Sequence, residues 1–231
     1  MKYFGEGLSE LHKNLNVKIR KADMIDEAKQ IFLLLHSKLH LSIISDKCNN
    51  EVDLLLNDLA ANEYAIMPTF KDETIAWVIW HIARIEDLTM NILVAHQEQV
   101  FNAEWKQRLN TPIVDTGNAL TDDEIIDMNH MLNIKELIEY RNTVGKRTQD
   151  IVKGLTAANM RQKVTLQGLE KICLENGVTE QEESIWLLDF WGKKDIAGIL
   201  LIPPSRHMIL HLNDCCKWKM HIRAGKKCYR N

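Results

Sequence analysis

The sequence predicts an all-α protein, and three observations carry that reading. Only four prolines and ten glycines punctuate 231 residues. The long segments repeat their apolar residues at a period near 3.6 rather than 2, and capping residues stand where helices restart. Counting only the long segments gives four main helices with shorter pieces in the connections, which is a four-helix bundle. With 45% hydrophobic residues the chain can bury a sizeable core, and residues 1–231 are expected to form one domain.

Taken in order, Asp23 is placed to cap a first helix running to about Asp46, with Ile31, Leu34, Leu35, Leu39 and Ile43 on its apolar stripe. A shorter helical segment covers Asn50 to Ala65 and ends near Pro68. A third helix is expected from Asp72 or Glu73 to about Val100, with Trp77, His81, Leu88 and Ile92 in helical register, so that His81 faces inward. From Phe101 to Asn118 the pattern becomes irregular, which reads as a long connection. Thr121 and Glu124 then form a capping box that restarts a helix, broken near His130 to Asn133 and resuming to about Gly154. Leu137, Tyr140, Val144, Thr148 and Ile151 supply its buried side. Thr156 to Glu183 is compatible with a short helix stopped at Gly177 or with an extended piece around Val164 and Leu166. A short helix before Pro203 and a terminal helix starting at Pro204 close the chain, since proline in a first turn sacrifices no helical hydrogen bond.

The formal charge of −3 gives no reason to expect nucleic-acid binding. Lys217, Lys219, Arg223, Lys226, Lys227 and Arg230 make the end basic, which reads as a solvated helix end favoured by the helix dipole. The opening "MKYFGEGLSELHKN" lacks the apolar run of a signal peptide, and no run is long enough to cross a bilayer, so a cytoplasmic, membrane-free protein is expected. Five cysteines, an odd number, do not suggest a disulfide framework. "VGKRTQ" lacks the glycine-rich approach of a phosphate-binding loop. The six tryptophans, with no sustained basic stripe between them, read as helix anchors or pocket walls.

His207 and His211 are the chemically loaded pair. Four residues apart on a helix, their Cβ atoms stand about 6 Å apart and both rings can reach one space. The bland reading is a pair of surface or hydrogen-bonded core histidines; His36 and His40 show the same spacing. His81, inward on another helix, needs a partner for its ring nitrogens, and with His207 and His211 would complete a three-nitrogen divalent-metal site retaining an open position. Asp214, Glu86 and Asp87 are candidates to orient the rings, or else solvated acids pairing with Arg84 or Lys217. Cys215, four residues after His211, is an alternative ligand that would favour a closed zinc site.

The stretches "TIAWVIWHIARIED", "LTDDEI", "IKELIEYRNTVGKRTQDIV" and "IPPSRHMILHLND" together resemble the DinB-like family of metal-binding four-helix bundles, which includes thiol-dependent S-transferases. The likeness organises most of residues 20–222. The family's first ligand histidine follows an apolar helix with a preceding tryptophan and matches His81 after Trp77 and Trp80; its terminal-helix pair matches His207 and His211. Where the family carries a glycine–glutamine pair after the last ligand, this chain reads "HLNDCCKWKMH". The resemblance implies a DinB-like bundle, a divalent ion such as zinc or nickel on His81, His207 and His211, and a homodimer. As function it implies transfer of a small thiol to an electrophilic substrate, with a non-catalytic metal-binding or stress-associated protein as the alternative.

Overall fold

The run from Ile75 to Asp87 decides the architecture, because every one of its residues is buried. A helix apolar nearly all round has no face to offer water and belongs in the middle of a protein. The computed structural model of the chain describes residues 4–45 and 48–230. In order, the helices are α1 (Leu8–Lys18), α2 (Ile25–Ser37), α3 (Glu51–Leu56), α4 (Ile75–Asp87), α5 (Ala103–Leu109), α6 (Asp122–Met131), α7 (Ile134–Gly154), α8 (Ala157–Met160), α9 (Leu166–Leu174), α10 (Glu182–Gly192), α11 (Ile196–Leu201) and α12 (Met208–Arg223). Wider π-helical stretches, Leu88–Val94 and Ile202–His207, extend α4 and join α11 to α12.

The long elements α2, α4, α7 and α11–α12 form the bundle, with α4 against both α7 and α12, and α7 also against α2. The fold is therefore an all-α bundle with additional short helices, and only two isolated β-bridges occur among the described residues. Among the described residues, no helix is long and apolar enough to cross a membrane.

Local chemistry explains where the elements depart from expectation. The first long helix spans Ile25–Ser37 rather than Asp23 to Asp46, and Asp46 lies outside the described residues. Asp23 sits in a 3₁₀ turn and caps nothing. The helix stops because Asn50, the cap of α3, donates its side-chain amide to the carbonyls of Ser37 and His40 (3.1 and 2.8 Å), satisfying groups that a further turn would have used. Leu34 and Ile43, expected inside, are exposed, while His36 and His40 are wholly buried. The helix begun at Thr74 ends with its π stretch at Val94, not near Val100. The supposedly irregular Phe101–Asn118 connection holds α5, capped by Asn102 on the Trp105 N–H. The break near His130 to Asn133 falls at Leu132 and Asn133, where Asn133 caps α7.

Pro203 and Pro204 do not divide the last element. A proline inside a helix removes a hydrogen bond and crowds the carbonyl four residues back, costing about 3 kcal/mol. Here the widened π turn absorbs both rings, the Ser205 hydroxyl donates to the Leu200 carbonyl (2.8 Å), and His12 Nε2 donates to that of Leu201 (2.7 Å). His207 thus closes the π turn and His211 lies one turn into α12. The basic end is more engaged than a solvated tail: Lys219 and Arg223 pair with Asp58, and Arg230 with Asp123.

Candidate metal centre

Thr74 accepts the Trp77 N–H (3.1 Å) and so sets the phase of α4, which aims Trp77 and His81 toward α12. The irregular segment that follows α5 supplies the other side. Its carbonyls take N–H groups from four α4 side chains: Val114 from Arg84 (3.0 Å), Asp115 from Trp80 (3.1 Å), Thr116 from His81 (2.8 Å) and Gly117 from Trp77 (3.0 Å). Gly117 has φ +75°, and a Cβ there would stand 2.9 Å from Trp77 Nε1, so glycine alone lets the segment approach this closely.

His81, His207 and His211 converge at this wall. His207 Nε2 lies 3.1 Å from His81 Nε2 and 3.1 Å from His211 Nε2. Trp77 stacks on the His81 ring with 4.6 Å between centroids and 10° between planes. Burial pushes the His81 pKa down to about 3, with neighbouring His211 adding to the effect. Burial likewise holds His207 well below the usual imidazole value and lowers His211. All three are therefore neutral at pH 7.

The proton inventory of this trio is the informative feature. A carbonyl only accepts, so His81 Nδ1 carries the hydrogen that goes to Thr116 and its Nε2 presents a lone pair. A hydrogen on His207 Nε2 can point along one of the two 3.1 Å contacts but not squarely along both. Neutral imidazoles at this separation present a surplus of lone pairs to one point, which suits a cation.

The expected orienting acids lie elsewhere. Glu86 faces α2, Asp87 binds Arg84 and Tyr140, and Asp214 pairs with Lys217 at 2.7 Å. Asp87 also accepts the N–H groups of Val100 and Phe101 (2.7 and 2.9 Å), tying the chain after α4 to α7. A backbone carbonyl, which no side-chain pattern reveals, orients His81 instead. Cys215 is wholly buried and lies outside both groups of close metal-binding side chains found among the described residues.

The second such group is His36, His40 and Glu86. His36 Nε2 lies 2.7 Å from Glu86 Oε1, and His40 Nε2 lies 3.1 Å from Oε2 without hydrogen-bond geometry. Burial pushes His40 down to about 3, despite the pull of Glu86 in the other direction. Burial would raise Glu86, but His40 and His36 beside it outweigh that and keep it ionised. Arg141 is also buried here, and burial lowers its pKa to about 10 while the Glu86 charge supports its ionised form. The Nδ1 atoms of His36 and His40 have no hydrogen-bond partner, and neither has that of His207, so this feature does not separate the two groups. Glu86 already has a buried cation nearby, so this group fits a charge-balanced polar network better than an ion.

A cavity of about 350 Å³ opens onto His81 and His211. Trp77, Leu120 and Ile125 line its apolar part, and Asp72, Glu73, Asp122 and Lys71 its polar part. The acids come from the segment before α4 and the first turn of α6, which the sequence reading did not connect to the histidines.

Residues 46–179, more than half the chain, match the DinB superfamily. That span contains His81 and ends before His207 and His211, so the two C-terminal members of the trio rest on the structure. Comparison with curated proteins gives no match.

Proposed function

The chain belongs to the DinB superfamily, and from that premise we propose that it binds one divalent cation through His81, His207 and His211. The observation that carries this is the convergence of three neutral imidazoles on one point, with His81 Nδ1 already committed to Thr116. Imidazole donors suit zinc and nickel. Such an ion, when bound, draws the pKa of a coordinated water or thiol down toward neutrality.

The finer reading is a transferase for a small thiol, supported by the cavity that reaches His81 and His211 and by the family resemblance. Trp77 packs flat on His81 and restricts that ring's rotation, while Leu120 and Ile125 offer the electrophile an apolar wall. In the reaction the thiol loses its proton to solvent through the cavity mouth. Its sulfur forms the new bond to the electrophilic atom, and the leaving group departs with the old bonding pair.

Native mass spectrometry with metal analysis tests the site. One ion per chain is expected, with at least about a tenfold loss of affinity in each of His81→Ala, His207→Ala and His211→Ala, the order expected when the coordination of an ion is damaged. Unchanged occupancy in all three variants rejects the centre. Thiol-dependent turnover lost on chelation and regained with metal supports the transferase; retained metal without turnover over a broad panel of electrophiles favours plain metal binding.

A further inference from the structure

The segment that leaves α12 turns back toward the entrance to α4. Gly225 follows the helix with φ +64°, a left-handed turn that favours glycine. His221 Nε2 donates to the Lys227 carbonyl (3.1 Å) and holds the returning chain against the helix it left. Tyr229 then donates its N–H to the carbonyls of Met67 and Pro68 (3.0 and 3.2 Å), and Arg230 donates its own to Met67 (3.2 Å). Met67 donates in return to the Arg230 carbonyl (3.0 Å), which makes an isolated antiparallel bridge. The Arg230 guanidinium reaches on to Asp123 in the first turn of α6.

Both anchors adjoin the cavity at the histidines. Phe70, Lys71, Asp72 and Glu73 form one wall of it, and Asp122 and Ile125 belong to another. Within residues 66–72 the remaining hydrogen bonds are internal: Asp72 N–H to the Thr69 carbonyl (3.1 Å), the Thr69 hydroxyl to the Asp72 carboxylate (2.7 Å), and Lys71 N–H to the Thr69 hydroxyl (3.3 Å). Among the described residues, the only hydrogen bonds that join this stretch to the rest of the chain are those of Tyr229 and Arg230. The buried Met67 and Pro68 side chains supply its apolar attachment. Lys226, Lys227 and Tyr229 stay exposed, so the returning segment adds little to the core. What it holds is the cavity wall.

Resting on the proposed metal reading, we infer that residues 226–230 are a strap that closes the outer wall of this cavity, so that an ion or ligand reaches His81 and His211 at a rate set by release of the strap. Solvent-exposed backbone hydrogen bonds with few buried contacts open locally at far less cost than global unfolding. An exposed ion pair adds little by itself, so the Arg230–Asp123 pair directs the strap more than it locks it. The strap also joins α12, which carries His211, to the approach of α4, which carries His81.

Two variants release the strap without touching the core. Tyr229→Pro removes the N–H shared by Met67 and Pro68, and Arg230→Glu sets like charges against each other at Asp123. Metal-free full-length protein is treated with diethyl pyrocarbonate, and carbethoxylation of His211 and His40 is followed by peptide mass spectrometry. His211 should be labelled at least about threefold faster in both variants, within the range that the loss of one net hydrogen bond gives to an opening equilibrium. His40, wholly buried in its separate network, should keep its wild-type rate. Adding Asp123→Arg to Arg230→Glu should restore slow labelling of His211, whereas Lys227→Glu, the same charge change on an exposed side chain outside the bridge, should not alter it. In zinc-loaded protein, transfer of the ion to a chelator should accelerate in the same order. Equal His211 rates in wild type and both releasing variants overturn the inference, and so does equal acceleration at His40, which marks general loosening. If zinc does not bind, the metal reading fails, and labelling of the metal-free protein still decides whether the strap gates the cavity.

Discussion

His81 and His40 are both buried imidazoles with pKa values pushed down to about 3, and what each ring meets separates their roles. His81 Nδ1 has a carbonyl and its Nε2 a cluster of lone pairs; His40 lies against a carboxylate and the backbone of α7. Gly145 makes the latter packing possible, since a Cβ there would stand 2.6 Å from His40 Nδ1 and 2.7 Å from Cε1. Alanine improves helix propensity over glycine by about 1 kcal/mol. Overpacking a filled interior costs roughly 1–3 kcal/mol, so Gly145→Ala should be net destabilising. Gly154→Ala, in the same helix with nothing within 4 Å of its added Cβ, should be neutral or stabilising. Denaturant unfolding of the two variants distinguishes them; equal midpoints would mean His40 moves without penalty.

At the level of elements, the start of α4 does more than begin a helix. Thr74 Oγ1 caps Trp77 N and also accepts from Asn129 Nδ2 (2.7 Å), linking α4 to α6 beside the cavity. Thr74→Ala loses a cap, worth about 0.5–2 kcal/mol, and leaves the buried Asn129 amide short of an acceptor, at about 1–3 kcal/mol. A total near 2 kcal/mol corresponds to a fall of about 5 °C in Tm for a chain of this size. Calorimetry showing a fall below about 1 °C would mean that another group replaces both bonds; Thr74→Ser should retain most of the stability. The proline pair teaches a related lesson. Pro203 and Pro204 signal a helix boundary by local rules, but the π turn and the side chains of Ser205 and His12 carry the helix through.

Across the whole molecule, burial of uncharged histidines and an ionised glutamate fixes how the metal-free protein responds to acid. His40 has a folded pKa of about 3 against about 6.5 unfolded, so between those values the unfolded chain takes up a proton that the folded chain refuses. Glu86 is held below the ordinary carboxylate value, so its contribution is present above about pH 4.3 and is lost as pH falls through its folded pKa. Both make the unfolded state bind more protons, so their contributions raise stability as pH rises, against the smaller opposite effect of Glu73 and Asp115, whose carboxyls burial holds above their usual range. The lowered pKa values of His81, His207 and His211 act with the same sign in the absence of metal. Chelator-treated protein should therefore unfold at distinctly lower denaturant at pH 4.5 than at pH 7. A flat profile would show that these histidines do not remain buried and neutral in the folded protein.

The helical class, the break before Ile134, the Thr121–Glu124 cap and the inward direction of His81 were legible in the residues because periodicity and capping act within a few positions. The spacing of His207 and His211 was legible for the same reason. The stop of α2 and the passage through Pro203 and Pro204 depended on groups elsewhere in the chain, Asn50 and His12, that take up the carbonyls left free. Only the tertiary structure could give Glu86 to His36 and His40, give the Thr116 carbonyl to His81, and place Asp72, Glu73 and Asp122 around one cavity. A helical repeat determines which face a side chain shares with its neighbours, whereas a buried polar atom's partner is chosen by packing between elements, and desolvation makes that choice binding.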